Sequence, residues 1–242
     1  MDSHNERTLR DLLRILLPFI LILLLLSFSY SAFGQIEVHH EPMHHPVFEN
    51  KIVRVLDVVV QPGDTSLLHQ HRSNYCYITI QGGQVWLQGE VGNGRNLNLY
   101  TGFIGGYHEN PDKPLVHRFA NRSSNQIRLI AVENLSPIGN RFDTLVNKMY
   151  NEEILINNSY FTLSKILVDS NSSTTILSKR PAVIVNLESK SLQIKRQRNI
   201  GQLNQWSWLD PNTSATIINP QLDIATVVLV QLKNGKSNSR KR

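Results

Sequence analysis

From about residue 50 onward, short apolar runs alternate with turn residues, and this pattern restricts the chain to an all-β fold. I-V-R-V-L-D-V-V-V (52–60) is rich in β-branched residues and stops at Pro62-Gly63. Y-C-Y-I-T-I-Q (75–81) stops at Gly82-Gly83, and Q-V-W-L-Q (84–88) follows at hairpin spacing. N-L-N-L-Y (96–100), L-V-H-R-F (115–119) and Q-I-R-L-I-A-V (126–132) continue the series. β-Branched and aromatic side chains suit a pleated, half-buried surface, and Pro-Gly and Gly-Gly pairs supply the dihedrals of tight turns. Strands this short, at this spacing, predict a sandwich or barrel. One interval departs from the pattern: 140–156 (N-R-F-D-T-L-V-N-K-M-Y-N-E-E-I-L-I) has a weak helical period and is expected to be a connector.

The second half repeats the first. Y-F-T-L-S-K-I-L-V (160–168) resembles the 52–60 strand, T-T-I-L-S-K (174–179) stands where 69–71 stood, and A-V-I-V-N-L (182–187) takes the place of 75–81. A-T-I-I-N-P-Q-L-D-I-A-T-V-V-L-V (215–230) aligns with H-R-F-A-N-R-S-S-N-Q-I-R-L-I-A-V (117–132). In that register Asn219 matches Asn121 and Ala215 replaces His117. No histidine follows His117, so a histidine site belongs to the first half. The expected divisions are 1–34, a signal or anchor; 35–139, a first barrel; 140–158, a connector; 159–232, a second barrel; and 233–242, a basic tail.

The N-terminus reads as an export signal. Arg7, Arg10 and Arg14 flank an apolar run from Ile15 to Leu26, and Ser27 to Gly34 is small and mixed. Ala32 and Gly34 fit a cleavage site before Gln35. The rival is an uncleaved anchor, because Ile15 to Phe33 is 19 residues, enough to cross a bilayer. Either way the bulk of the chain is expected outside the cytoplasm, periplasmic or extracellular, with membrane contact only through this segment.

Cys76 is the single cysteine, which excludes an internal disulfide, so a packed core or a metal must hold the fold. The net charge of +6 does not imply nucleic acid: Lys233, Lys236, Arg240, Lys241 and Arg242 crowd the last ten residues, leaving the rest nearly neutral.

The chemistry concentrates in G-D-T-S-L-L-H-Q-H-R-S-N-Y-C (63–76). Side chains at i and i+2 of a strand point to one face, so His69 and His71 project together, as chelation of one ion requires. Gly63, five residues, His69, one residue, His71, four residues, Cys76, six residues, Gly83 resembles the first motif of the cupin superfamily, with Cys76 where glutamate is usual. Gly106, ten residues, His117, three residues, Asn121 resembles the second, with Asp112 and Pro114 where proline and glycine are usual. The likeness covers roughly 50–135 closely and 36–232 loosely.

The resemblance implies two antiparallel jelly-roll barrels, the second degenerate, and a divalent metal in the first held by His69, His71 and His117. Iron, manganese or zinc all suit three imidazoles, and ligand type does not choose among them. Without the glutamate the donor set is neutral, which favours an anionic ligand. Three protein ligands also leave open positions for a small molecule.

On the strand at 75–81, Cys76, Ile78 and Ile80 form an apolar face expected to point into the barrel, which would make Cys76 a neighbour of the metal. Cys76 is otherwise a small buried hydrophobe. The spacing also resembles the thiol dioxygenases, a cupin branch, although Asn134 rather than tyrosine occupies their cross-linking region.

His39, His40, His44 and His45 (H-H-E-P-M-H-H) are either a flexible metal-binding tract or a strand touching the barrel mouth. Beside Pro42 and Pro46, the flexible tract is favoured. His108, Glu109 and Glu90 are weaker acid–base candidates. Trp206 and Trp208 share a face and are expected between the barrels, with stacking on a sugar the alternative.

Two functions remain open. One is an exported metal-dependent enzyme, dioxygenase- or isomerase-like, acting on a small oxygenated molecule; the other is a non-catalytic ligand-binding or structural protein. A homo-oligomer is compatible with both.

Overall fold

The computed structural model describes residues 16–17, 35–108, 113–136, 151–188, 192–196 and 199–233. Met1–Gln35 and Ile36–Arg242 form separate compact units. The signal or anchor, the tail beyond 233 and the connector over 140–150 lie outside the described residues.

Among its described residues the Ile36–Arg242 unit is built of strands, with one turn of 3-10 helix at Val38–His40. One sheet of the first barrel runs in the order β1 (Ile36–Glu37), β4 (His69–His71), β9 (Leu115–Asn121), β6 (Gly83–Gly89) and β7 (Arg95–Leu99). The facing sheet runs β2 (His44–Glu49), β3 (Val53–Val60), β10 (Ile127–Asn134), β5 (Asn74–Gln81) and β8 (Ile104–Gly106). Only β1 against β4 is parallel among these pairs. The second barrel repeats the scheme. Its sheets are β11 (Glu152–Asn157), β12 (Phe161–Val168), β19 (Ala225–Leu232), β14 (Ala182–Asn186), β17 (Trp206–Leu209), and β13 (Ser172–Ser178), β18 (Thr213–Asn219), β15 (Leu192–Arg196), β16 (Asn199–Leu203).

The internal repeat reaches individual hydrogen bonds. Asn121 is buried, and its Nδ2 donates to the carbonyls of Val60 and Asn125 (3.0 and 2.8 Å) while its Oδ1 accepts from Ser123 N (2.9 Å). Asn219 donates to Val168 and Asp223 (3.0 and 2.8 Å) and accepts from Gln221 N (3.0 Å). Each closes the turn between equivalent strands by satisfying backbone groups that the turn would otherwise strand.

Two expectations need correction. Residues 152–157 are not part of a helical connector: they form β11, the edge strand paired with β12. The β-branched Ile154 and Ile156 gain ladder partners there, either side of a bulge, and tertiary pairing overrides a weak helical period.

The second correction concerns Cys76. It faces away from the barrel interior, fully buried in the seam between the barrels. There Val53, Val55, Cys76, Ile78, Ile130 and Val132 meet a matching apolar face from β12, β14 and β19. Phe161, Leu163 and Val230 belong to that opposing face. The first barrel's inner sheet is thus buried on both sides, and a strand buried on both sides carries apolar residues on both. Alternation alone then cannot say which set faces inward. Each fully buried large side chain in this seam contributes about 1.5–3 kcal/mol of transfer free energy. Phe48 of β2 lies 5.7 Å from Trp206 and 5.4 Å from Trp208, ring centre to ring centre, so both tryptophans pack at the rim of the seam.

Candidate metal centre

β4 is only three residues long, yet its neighbours fix it in place. β1 pairs along one edge, placing Ile36 opposite His69, and β9 pairs along the other, placing His117 directly opposite His69. Alternation puts His71 on the same face as His69. The three rings converge, with centres 4.6 Å (His69–His117), 4.9 Å (His71–His117) and 5.2 Å (His69–His71) apart. One nitrogen from each falls within 4.8 Å of the others.

His69 Nδ1 is 2.9 Å from the Leu67 carbonyl, which can only accept, so the proton sits on Nδ1 and Nε2 carries the lone pair. That Nε2, and Nδ1 of His71, are buried with no hydrogen-bond partner. Nε2 of His71 lies 3.2 Å from Nε2 of His117. Two bonds of about 2.0–2.1 Å from one ion hold their nitrogens about 2.9–3.4 Å apart, depending on coordination angle. Leaving a buried polar atom unsatisfied costs about 1–3 kcal/mol, and a metal ion held by the three Nε2 atoms would remove that cost at His69. The residues present therefore fit a divalent ion.

Burial sets the protonation of the cluster. It lowers His69 to about 4, with neighbouring His44 adding to the effect. It lowers His117 to about 3, and His71 well below the ordinary imidazole value. All three are neutral at ordinary pH, so no proton must leave before a metal binds.

Tyr75 and Tyr77, not Cys76, occupy the inner face of β5. The Tyr75 ring stacks on His71 at 3.9 Å and 14°. Burial raises the Tyr75 hydroxyl well above its usual pKa, so the ring adds no charge. Tyr75 is therefore the inward residue nearest the position where the motif has glutamate. The motif's six-residue interval, counted from Tyr75, ends on Gly82, where a Cβ would lie 2.1 Å from the Leu99 carbonyl oxygen. The last two motif positions thus shift by one residue from the Cys76 alignment, while Gly63, His69 and His71 keep theirs. Burial likewise raises the Cys76 thiol, as befits an inert side chain in an apolar seam. Gly106, at φ +107°, brings β8 close against Tyr75: a Cβ there would lie 2.6 Å from the Tyr75 carbonyl oxygen.

The His39–His45 segment is ordered structure, not a flexible tract. His40 and His45 are exposed. His39 contacts Arg54 (3.1 Å), which also binds Glu133 (2.8 Å) and Glu49 (2.7 Å). Glu133 is buried, and burial lifts its carboxyl above the usual range against the pull of Arg54. His44 turns inward: its ring centre lies 4.6 Å from that of His69, and its Nδ1 is 2.5 Å from the Glu41 carboxylate. Glu41 also accepts from the Met43 and Leu67 amides (2.9 and 3.1 Å). Burial alone would raise the Glu41 carboxyl, but these bonds outweigh it and hold its pKa below the ordinary value. The Leu67 peptide thus links Glu41 to His69. Pro42 and Pro46 disguised this arrangement, since a glutamate three residues before a histidine has no strand signature.

A cavity of about 530 Å³ opens beside the histidines. His44, His71, His117, Tyr75, Tyr77, Asn93 and Arg95 give it its polar groups, and the remaining wall is largely leucine, valine and phenylalanine, most of it from β6, β7, β9 and β10. His108 is buried and adds to the depression of His71. Glu109 lies outside the described residues, and Glu90 is exposed on the turn after β6.

Among the described residues the second barrel has no such centre. Where β4 and β9 oppose His69 to His117, β13 and β18 oppose Ile176 to Ala215; Ser178 takes the place of His71. Ile166, Ile184, Leu192 and Ile217 fill its interior.

No protein-family model and no curated protein matches the chain. Among solved structures, AerE from Microcystis aeruginosa superposes with a TM-score of 0.56 at 13% identity, covering 79% of this chain and 98% of that one. A salicylate 1,2-dioxygenase from Pseudoaminobacter salicylatoxidans, as its adducts with gentisate, gives 0.54 at 9%, covering 87% and 78%. A cupin 2 conserved barrel domain protein from Leptotrichia buccalis gives 0.51 at 11%, covering 84% and 100%. With the strand order, these likenesses establish the architecture: the chain is a cupin in fold, with two jelly-roll barrels and a cluster of His69, His71 and His117 in the first.

Proposed function

We propose that this is an exported metal-dependent protein whose first barrel binds a small oxygenated molecule at His69, His71 and His117 and transforms it by dioxygenase- or isomerase-type chemistry. The observation that carries this is the pairing of orphaned, neutral imidazole nitrogens with a cavity that reaches two of the three rings. A structural barrel would gain nothing by keeping such nitrogens unsatisfied, as the apolar filling of the second barrel illustrates. A divalent ion of iron, manganese or zinc there would supply Lewis acidity, and iron would add redox chemistry. The chain itself offers a neutral donor set, so the ion's charge is left to attract an anionic ligand. Arg95, on the cavity wall, favours the same sign. The gentisate adducts of the salicylate dioxygenase support a small hydroxylated acid as the kind of ligand. Export is supported by the order of basic, apolar and small residues over 1–34.

The alternative, a non-catalytic ligand-binding or structural bicupin, is favoured only by the degenerate second barrel. Metal analysis of the untagged full chain beside a His69→Ala/His71→Ala variant tests the proposal. Near one metal per chain, lost in the variant, is expected. No metal, or metal that persists in the variant, refutes the centre.

A further inference from the structure

The His39–His45 cluster is not explained by the three-histidine centre, and only His44 of its imidazoles lines the cavity. The Glu41 carboxylate is buried and engaged by Met43 N, Leu67 N and His44 Nδ1. A carboxylate only accepts, so Nδ1 of His44 carries a proton. Nε2 is then the ring nitrogen left to face a ligand, and among the described residues no protein group is bonded to it. Burying a carboxylate and an imidazole is expensive, and packing alone would be served by apolar side chains. The arm that carries them is locked down on both sides: β1 along β4, and β2 along β3.

We propose that His44, oriented by Glu41, is a binding subsite of the first barrel whose Nε2 accepts a hydrogen bond from a hydroxyl of the bound molecule. The ligand class that follows is a hydroxylated compound with a largely apolar body, its hydroxyl toward β2 and its body among the leucines and phenylalanines of the cavity wall. The subsite rests on the metal-centre proposal above, since His44 acts on a molecule seated beside His71 and His117. It adds a specificity-determining residue that lies outside both histidine motifs, on the N-terminal arm.

The test uses the untagged full chain loaded with zinc, which does not oxidise the probe. 4-Nitrocatechol and its monomethyl ether, 4-nitroguaiacol, are titrated by absorbance against the wild type, His44→Phe, His44→Gln and Glu41→Gln, with zinc content measured in each. The preference for the free hydroxyl over the ether is expected to fall about tenfold in His44→Phe, as loss of one hydrogen bond predicts. It falls partly in Glu41→Gln and is largely kept in His44→Gln, which retains an acceptor. Zinc stays at one per chain throughout. His44→Leu repeats the test at smaller volume should the phenylalanine variant not fold. An unchanged preference in a zinc-loaded His44→Phe or His44→Leu overturns the subsite, as does failure of both probes to bind the zinc-loaded wild type. Loss of zinc from those variants also overturns it, by placing His44 in the metal centre. A wild type that takes up no zinc refutes the metal centre itself, and the subsite with it.

Discussion

Residues 75 and 76 are neighbours in sequence on opposite faces of β5, and their substitutions should fail in opposite ways. Cys76 sits at zero exposure between the barrels, against an apolar seam. Cys76→Ser replaces a weakly polar thiol with a hydroxyl that has only apolar neighbours in that seam. An unsatisfied buried hydroxyl costs about 1–3 kcal/mol. For a unit of about 200 residues, each kcal/mol lowers Tm by about 2–4 °C. Cys76→Ser should therefore melt about 2–12 °C lower while keeping its full metal content. Tyr75→Leu keeps an apolar side chain but removes the ring stacked 3.9 Å from His71. Loss of an outer partner of a metal ligand weakens binding by about 10–100-fold. That variant should show weakened metal affinity, with Tm lowered as well by the cavity that the ring leaves. Calorimetry and competition with a chelator, run on both variants, provide the comparison. Metal lost from Cys76→Ser and kept at full affinity in Tyr75→Leu would refute the face assignment and return the cysteine to the centre.

Other consequences are equally direct. Phe161→Ala opens a cavity in the inter-barrel seam and should cost about 3–5 kcal/mol by denaturant unfolding, with the metal site intact. Gly106→Ala places a Cβ 2.6 Å from the Tyr75 carbonyl at a positive φ, so it should displace β8 and lower metal affinity together with stability, both measurable on one sample. The pH dependence has a definite sign. His69 and His117 bind protons in the unfolded chain near 6.5 but in the folded chain only near 4 and 3. Metal-free protein should hold its full stability above about 6.5 and lose it as pH falls toward these values, by up to about 1.4 kcal/mol per unit for each histidine. Bound metal should raise stability across this range without moving the onset of the loss, which the unfolded chain sets near 6.5; a flat profile for metal-free protein between 7 and 4 would contradict the buried, neutral cluster.

The fold was legible because turn pairs and β-branched runs report local backbone geometry, and local geometry here agrees with the tertiary structure. Asn121 and Asn219 were legible as a repeat because both do the same hydrogen-bonding work in equivalent turns. The grouping of His69, His71 and His117 was legible from the period of a strand plus one cross-strand partner. What failed was facing. Cys76 and Tyr75 differ by one residue, and a sheet buried on both sides carries no polar face to set its register. Glu41 and His44 were obscured for another reason: their role depends on the Leu67 amide, 26 residues away from Glu41, and on β2 pairing with β3. Nothing in H-H-E-P-M-H-H encodes that distance, whereas His-x-His encodes its own geometry. Strand β11 was missed because edge pairing, not intrinsic period, decides its state.

The most direct measurement is an anomalous-diffraction map of the metal-loaded protein, collected at the edge of the metal found by elemental analysis. The account predicts one peak about 2.0–2.2 Å from the Nε2 atoms of His69, His71 and His117, with Cys76 remote from it. No peak among these rings, or a peak held instead by the exposed His40 and His45, would contradict it.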